Sequence, residues 1–392
     1  MTIFDNAQIF EKCTACGACA NICPKQAIAL LESENGFLFP QIDSNKCVQC
    51  GLCNRVCYID KKIENNRIDC YGSFKGQDSL RLKSSSGALF YYLAQTVIKL
   101  NGVVYGAVFD SVSKEVRHVS TDDFSLDQIM RSKYVQSNIG NCYKKIENEL
   151  VKGRSVLFCG TPCQNYALTQ FLKGKEYSNL LKVDFVCHGV PSSFFFKDLL
   201  KYYESKYGSR VNNITFREKD LGWRQQLIKI YFDNGYVLSE RSNYYYYYLA
   251  FIDNITLRDS CFKCQFPAKH CSDLTIFDYW DTQDGDNLGV SGYFVNSQNG
   301  QNYLELLPKS RIGKIEKRDY INLITTPHDC IKSYNQRYKY AKKFRYIYKE
   351  HGVDRAIRYL KSTTRRIRKI EYLRSKFKSF CIKCKMSFNK NS

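Results

Sequence analysis

The residues best able to do chemistry in this chain are cysteines in two matching runs near the N-terminus. The first run places Cys13, Cys16, Cys19 and Cys23 with the spacing C-x2-C-x2-C-x3-C. The second run repeats that spacing with Cys47, Cys50, Cys53 and Cys57. Three thiolates on one tight loop can bind three irons of a [4Fe–4S] cubane, and the fourth cysteine then serves the other cluster. The runs therefore predict one cluster on Cys13, Cys16, Cys19 and Cys57, and a second on Cys47, Cys50, Cys53 and Cys23.

Zinc is the alternative occupant of such cysteines. Structural zinc sites usually join separated CxxC pairs into one tetrahedron, and these tightly packed runs do not suit that arrangement. Gly17 and Gly51 would relieve crowding where the backbone approaches a cluster. Pro24 follows the first run, as in bacterial ferredoxins, whereas Tyr58 takes that place after the second run.

A third set of cysteines is spread over three later segments. Cys163 lies in the turn Gly160-Thr161-Pro162-Cys163-Gln164 and Cys187 in the turn Cys187-His-Gly-Val-Pro191. Each turn follows a predicted strand, and ligands bind at the carboxyl ends of strands in open α/β sheets. With Cys261 and Cys264, these residues would complete a third cubane, and zinc remains the alternative.

The other cysteines and a few polar residues are weaker candidates. Cys70, Cys142 and Cys159 are interpreted as small buried side chains, and four are left unassigned: Cys271, Cys330, Cys381 and Cys384. His188 could transfer a proton or simply bond nearby backbone, and we favour the second interpretation. The segment Ser84-Ser85-Ser86-Gly87 could bind phosphate or cap a helix.

The elements that must position these residues alternate along the chain. Apolar spacing predicts strands over 102–109, 155–159 and 180–186 and helices over 89–100, 139–150 and 164–173. This order indicates an α/β domain with a mixed, largely parallel sheet. The predicted organisation is an α+β ferredoxin-like dicluster module at 1–62, body regions at 70–150 and 151–330, and a basic helical tail at 331–392.

Composition bounds the class of protein. The 392 residues are 44% hydrophobic and 25% charged, as in globular proteins. The formal net charge is +21, but residues 331–392 hold 20 Lys and Arg against three acidic residues, so the body is nearly neutral. No apolar run is long enough for a bilayer span, and residues 1–12 do not look like a secretory signal. We therefore expect a cytoplasmic protein whose 19 cysteines mainly bind metal.

These segments together resemble the coenzyme F420 hydrogenase/dehydrogenase beta-subunit family. The matching residues are Ser84–Gly87, Gly102–Gly106, Ser132–Ser137, Gly160–Gln164, Cys187–Pro191, Phe216-Arg217, Gly222-Trp223, Leu257-Arg258, Cys261, Cys264, Ser272-Asp273, Asp278 and Trp280. They occur in order over about residues 70–300. Ala88 and Phe277 stand where family members often have glycine. Forms with an N-terminal ferredoxin module resemble proteins of bacterial surface-polysaccharide loci.

The resemblance implies a flavin-dependent iron–sulfur oxidoreductase that contains FAD. It places the flavin near Ser84, Ser85, Ser86 and Gly87, near Lys133, Tyr134, Gln136 and Ser137, and near Gly160, Thr161, Pro162 and Gln164. Lys133 and His188 are the weak candidates for catalysis. Implied partners are a small-molecule substrate and a redox partner protein or ferredoxin-type donor.

Two other functions compete with this one. The chain could be an electron-transfer adaptor without its own substrate, or an iron–sulfur protein that binds nucleic acid. Nucleic-acid binding is the least favoured, because only the basic tail suggests it. A mix of basic and aromatic residues in the tail also suits an anionic membrane surface, and a solvated helical tail without a specific partner is the alternative. We favour peripheral association with the inner face of the membrane.

Overall fold

The computed structural model describes residues 9–33, 36–59, 61–63, 70–266, 269–280, 286–315, 317 and 334–388. Side chains are described from Glu11 to Leu373 within these ranges, apart from those of residues 334–336. The unassigned Cys330, Cys381 and Cys384 therefore lie outside the described side chains.

The N-terminal module is built from short elements that hold the cysteine runs. Helices α1 (Ile9–Lys12), α2 (Ala18–Ile22) and α3 (Leu52–Val56) accompany the antiparallel hairpin of β1 (Ile28–Glu32) and β2 (Leu38–Ile42). Helices α2 and α3 each begin after a glycine in the left-handed region, Gly17 with φ 76° and Gly51 with φ 72°. The repeat in the sequence is therefore also a repeat of loop and helix.

The body is organised around a central sheet of eight strands. In chain order they are β3 (Cys70–Phe74), β4 (Val103–Asp110), β5 (Glu115–Ser120), β6 (Val156–Cys159), β7 (Leu180–Phe185), β11 (Leu274–Asp278), β12 (Ser291–Val295) and β13 (Ile312–Gly313). Their spatial order is β13-β3-β12-β11-β7-β6-β4-β5. A smaller antiparallel sheet contains β8 (Val211–Glu218), β9 (Leu227–Phe232) and β10 (Val237–Arg241), with β9 in the middle.

The prediction of a mixed sheet is confirmed, but the prediction that it is largely parallel is wrong. Only the four central strands β4, β6, β7 and β11 are parallel, whereas all pairings toward either edge are antiparallel. At one edge, β5 follows β4 after a short turn, and such connections join antiparallel neighbours. At the other edge, β3 from the start of the body pairs with β12 and β13 from its end, so no helical crossover sets their direction.

Helices cover both faces of the central sheet. The body helices are α4 (Asp78–Leu82), α5 (Leu89–Lys99), α6 (Leu126–Ile129), α7 (Cys142–Val151), α8 (Pro162–Phe171), α9 (Ser193–Tyr207), α10 (Tyr246–Ile252), α11 (Asp259–Phe262) and α12 (Gln298–Glu305). Helices α5 and α12 bury Leu93 and Leu304 on one face. Helices α7 and α8 bury Tyr143 and Leu168 on the other face, and Ala18, Val56 and Tyr58 of the N-terminal module join that same core.

The C-terminal basic segment is helical, as predicted, but it has a buried face that the sequence did not reveal. Helix α13 (Tyr334–Phe388) is interrupted at Gly352, whose φ is 72°. Phe344 and Leu360 are buried in the core with α9, α10 and the smaller sheet. Much of this segment is therefore a packed part of the body rather than a detached tail.

Candidate metal centres

A cavity in the N-terminal module is lined by four thiols, three from the first cysteine run and one from the second. Cys13, Cys16, Cys19 and Cys57 surround it, together with Leu30, Pro40 and Tyr58. Cys57 reaches this cavity because α3 ends at Val56 and the chain then turns back toward the first cysteine run. These are the four residues that the spacing assigns to the first cluster.

A second cavity brings together the remaining four thiols of the two runs, Cys23, Cys47, Cys50 and Cys53. The two loops have matching backbones, since Ala15 and Gln49 have φ of 51° and 50°, each two residues before the left-handed glycine. Left-handed residues let a short loop curl around a centre with its amides turned inward. The crossed pairing of the two runs is therefore present in the geometry.

The two cavities differ in their access to solvent. Cys13 is buried, and so are Ala15 and Ala18 beside the first cavity. At the second cavity Cys50 is exposed and the Val48 side chain is 58% exposed. The first cavity thus faces the body, and the second faces outward.

The chemistry of the buried thiols fits a multivalent metal centre. Burial raises the pKa of the Cys16 and Cys19 thiols, and neighbouring Cys13 and Cys57 raise both further. Four thiolates in one buried cavity require positive charge, which iron would supply by displacing the thiol protons. Within the described part of the chain, no three Cys, His, Asp or Glu side chains converge tightly enough for a single metal ion. A [4Fe–4S] cubane does not need such tight convergence, because each thiolate binds a different iron.

The structure also brings the third set of cysteines together. Cys163 lies in the first turn of α8, Cys187 follows β7, and Cys261 and Cys264 lie in and just after α11. Burial raises the pKa of Cys187 strongly, and Cys163, Cys261 and Cys264 raise it further. Three separate loops therefore place four thiols within electrostatic reach of one another.

Hydrogen bonds orient the sulfurs of this third set. The Cys261 Sγ accepts from the Val190 amide at 3.4 Å, and the Cys264 Sγ accepts from the Phe266 amide at 3.4 Å. The Cys163 Sγ lies 3.0 Å from the Thr161 hydroxyl. Amide and hydroxyl donors of this kind stabilise thiolate ligands and adjust the potential of a cluster.

The first and third sets are neighbours across the boundary between module and body. Cys16 interacts electrostatically with Cys163 as well as with Cys13 and Cys57. Tyr58 lies between them, with its hydroxyl 2.6 Å from the Thr14 hydroxyl and its ring edge-on to Tyr166 and Phe266. This arrangement places the first set next to the third set across the boundary.

The serine-rich segment that the resemblance assigns to flavin is bonded within the protein. The Ser84 hydroxyl donates to the Leu80 carbonyl, and the Ser86 hydroxyl donates to the Val290 carbonyl. Ser85 bonds Ser132, and the Gly87 amide donates to the Ser291 hydroxyl. None of these serines caps α5, which begins after Ala88. The alternative that the serine run is an N-cap is therefore wrong for this helix.

The segment 133–137 is also largely occupied. Lys133 Nζ donates to the carbonyls of Gln128, Ile129 and Met130, and burial lowers its pKa to about 7. Tyr134 packs against Phe216, Tyr248 and Phe251, and its carbonyl accepts from the Tyr247 hydroxyl. The Lys133 ammonium thus closes the end of α6 instead of facing a substrate cavity.

Gln136, Ser137 and the turn 160–164 connect elements of the body and the module. The Gln136 side chain donates to the Thr14 carbonyl at 3.0 Å, so it faces the N-terminal module. Gln164 donates to the Ser137 hydroxyl and forms a capping box with Thr161, while Pro162 is buried at the start of α8. The amide of Gly160 donates to the Val183 carbonyl.

The remaining candidates are His188 and the cysteines outside the three sets. His188 Nε2 lies 3.2 Å from the Phe251 carbonyl and its ring is edge-on to that phenyl ring, which matches the backbone-bonding interpretation. Cys142 is buried, as predicted, but Cys70 and Cys159 are only partly buried, and so is the unassigned Cys271. The partial exposure arises because both Cys70 and Cys159 lie at ends of their strands.

Sequence reasoning missed several residues that hold the site together. Asn21 is buried, and its amide nitrogen donates to the carbonyls of Gly17 and Gly140. Arg258 is 1% exposed and lies between the two halves of the site. It belongs to a motif of the family resemblance, but its role is visible only in three dimensions. The buried pair His270 and Asp184 had no signal in the sequence at all.

Comparisons with known proteins agree with the cysteine geometry. Residues 153–319 match the model for the C terminus of the beta subunit in coenzyme F420 hydrogenase/dehydrogenase. Residues 12–60 match a 4Fe-4S dicluster domain. No curated protein matched the chain.

One solved structure similar to this chain is a chain of the F420-reducing [NiFe] hydrogenase complex from Methanosarcina barkeri, studied by xenon derivatization. The identity is 14%, the match covers 75% of this chain and 91% of that chain, and the TM-score is 0.43. Among the described residues, no helix combines the length and the apolar character that a membrane crossing requires.

Proposed function

Because the chain is an iron–sulfur electron-transfer subunit related to the coenzyme F420 hydrogenase/dehydrogenase beta subunit, we propose that it is a flavin-dependent oxidoreductase with three [4Fe–4S] clusters. The clusters would carry single electrons, and FAD would exchange a hydride with a small-molecule substrate. One hydride delivers two electrons, which leave singly through the clusters, and its proton is released. The same path would operate in reverse for substrate reduction.

The observation that supports this proposal best is the succession of the three cysteine sets. Cys50 and Val48 expose the second cavity to a redox partner, whereas the first cavity is buried against the body. The first set adjoins Cys163 of the third set. A partner protein of the ferredoxin type would therefore exchange electrons at the exposed cavity, and the third set would connect to the flavin.

The domain boundaries that go with this function are 1–62 for the dicluster module, 70–150 and 151–330 for the body, and 331–392 for the basic helix.

The chain's own residues hold the module in place for electron transfer. Gln136 bonds Thr14, the Ser192 hydroxyl donates to the Gly36 carbonyl, and Lys61 bonds Gln170. These contacts keep the first set beside the body.

One observation favours a second candidate, the electron-transfer adaptor. The hydroxyl and amide groups near Ser84–Gly87 and 133–137 that would contact a flavin already bond other protein groups. An adaptor would need the clusters but no flavin and no substrate of its own, and it would pass electrons to a separate catalytic protein. The resemblance to proteins of polysaccharide loci supports a role of either form in surface-polysaccharide synthesis, at the inner face of the membrane.

The test is the cofactor content of the full chain purified without oxygen. Three cubanes predict about twelve irons and as many sulfides per chain. Cys187→Ser should lose about four irons and leave about eight. The matched control is Cys70→Ser, since Cys70 lies outside all three sets and bonds Gln301, so its iron content should equal that of the unchanged chain.

Each result decides between the candidates. Stoichiometric zinc without sulfide would refute the iron–sulfur assignment. Iron content that is unchanged in Cys187→Ser would refute the third set. Flavin released from the denatured chain supports the oxidoreductase, and a fully iron-loaded chain without flavin supports the adaptor.

A further inference from the structure

A single buried cation lies where the N-terminal module meets the body. Arg258 precedes α11 and its side chain is 1% exposed, one of the largest fully buried side chains in the described structure. Burying a guanidinium is costly unless hydrogen bonds and opposite charge compensate it. The partners of Arg258 therefore show what this position is built to hold.

The guanidinium bonds groups from both halves of the molecule. Its Nε donates to the Cys13 carbonyl at 2.6 Å, and one terminal nitrogen donates to the Leu38 carbonyl at 2.8 Å. The other terminal nitrogen donates to the Gln136 side chain at 3.2 Å. The cation also lies 4.2 Å from the centre of the Phe39 ring. Three of these four contacts are made to the module.

None of these hydrogen-bond partners is a carboxylate. The nearest acid along the chain is Asp259, and its carboxylate is paired with Arg345 at 2.7 Å. The ionisable groups within electrostatic reach of Arg258 are the thiols of Cys13, Cys261 and Cys163, together with Asp259. The first thiol belongs to the first set, and the other two belong to the third set. When these cysteines bind metal as thiolates, they would supply the counter-charge of this buried cation from two neighbouring centres.

We infer that Arg258 is a positioning residue that docks the dicluster module on the body and makes the two clusters beside it easier to reduce. This inference rests on the proposed function. Reduction adds an electron to a cluster, and a fixed positive charge in a poorly solvated site favours the state with more negative charge. Arg258 therefore affects two properties at once. It holds the module in its docked position, and it raises the reduction potentials of the two clusters on either side of the boundary.

The experiment compares three variants of the full chain, loaded with iron and sulfide without oxygen. Arg258→Met removes the charge and the fork of donors, whereas Arg258→Lys keeps the charge but not the fork. Arg345→Met is the matched control, since Arg345 is buried on α13 near the same segment and its charge is already paired with Asp259. Redox titration followed by electron paramagnetic resonance measures each cluster, and hydrogen exchange measures docking.

The expected result is specific to two of the three clusters. In Arg258→Met, the ratio of reduced to oxidised cluster at fixed potential should fall about tenfold for the clusters on the first and third sets, equivalent to ~59 mV for one electron. The potential of the cluster on Cys23, Cys47, Cys50 and Cys53 should not shift. Exchange around Cys13 and Leu38 should rise in both Arg258 variants but not in Arg345→Met.

Other outcomes separate this inference from the proposed function. If the unchanged chain lacks the third cluster, the proposed function fails whatever Arg258 does. If Arg258→Met keeps three clusters with unchanged ratios, the electrostatic role is refuted. If Arg258→Met loses the adjacent clusters, Arg258→Lys decides, because unchanged exchange around Cys13 in that variant would refute the docking role.

Discussion

Tyr58 allows a quantitative test of how the module is attached. Its ring is 3% exposed and lies edge-on to Tyr166 at 5.2 Å and to Phe266 at 5.7 Å, while its hydroxyl bonds Thr14. Deleting a buried aromatic side chain costs about 3–5 kcal/mol. The hydroxyl contributes about 1 kcal/mol of this, and each aromatic pair about 0.5–1.5 kcal/mol. Tyr58→Ala should therefore destabilise the junction by about 3–5 kcal/mol, and Tyr58→Phe by about 1 kcal/mol.

The assay is urea denaturation of the iron-loaded chain without oxygen, followed by the visible absorbance of the clusters and by fluorescence. We expect Tyr58→Ala to lose cluster absorbance at lower urea than the body unfolds, because the module separates first. Tyr58→Phe should fall between this variant and the unchanged chain. Tyr244→Ala is the control, since Tyr244 is 71% exposed. If Tyr58→Ala and Tyr244→Ala lose absorbance at the same urea concentration, the ring does not anchor the module.

Three further predictions concern the body and the basic helix. Ala88 has a φ of 71°, a left-handed conformation that glycine adopts more easily than alanine. Ala88→Gly should therefore raise the free energy of unfolding by about 0.5–1 kcal/mol in urea titrations. A free energy of unfolding below that of the unchanged chain would contradict backbone strain at this position. Burial would raise the pKa of Asp286, but hydrogen bonds, led by that from Arg81, hold it at about 2. The ionised Asp286 thus stabilises the fold by about 2 kcal/mol above pH 4, and this stabilisation is lost as the pH falls toward 2. The loss of unfolding free energy in Asp286→Asn should therefore be smaller at pH 3 than at pH 7. An equal loss at both pH values would refute the contribution of the ionised carboxylate. The double variant Arg365→Glu/Arg366→Glu reverses two exposed charges of α13 and should abolish sedimentation of the chain with anionic liposomes at low salt. If the variant sediments like the unchanged chain, these two arginines do not contribute to membrane binding.

Membrane binding by the basic helix α13 has to be tested with point substitutions, because part of this helix is packed in the core. Phe344 packs edge-on to Phe195 at 4.9 Å, and Arg337 and Arg368 both bond Asp253. Deleting the segment after Cys330 would expose this core and leave Asp253 buried without its cations. The sequence indicated a helix, but the many basic residues among its apolar residues concealed that Ile357, Leu360 and Ile367 pack inward.

The sequence by itself determined the local chemistry of this protein. The spacing of Cys13 to Cys23 and of Cys47 to Cys57 restricts each run to one tight loop, because few conformations of so short a segment point three thiols at one centre. The strands and helices around Cys163 and Cys187 were also predictable, since apolar periodicity is a property of neighbouring residues. Even the crossed use of Cys23 and Cys57 follows from the repeat.

The tertiary structure decided what these local pieces do together. Cys261 could be grouped with Cys163 only as a hypothesis until the folded loops placed the third set within electrostatic reach of Cys187. The antiparallel edges of the sheet depend on which strands pair, and pairing joins residues far apart in the chain. Arg258 is the clearest case, because an arginine in a sequence is normally a solvated charge, and only burial among Cys13, Leu38 and Gln136 turns it into a link between two centres.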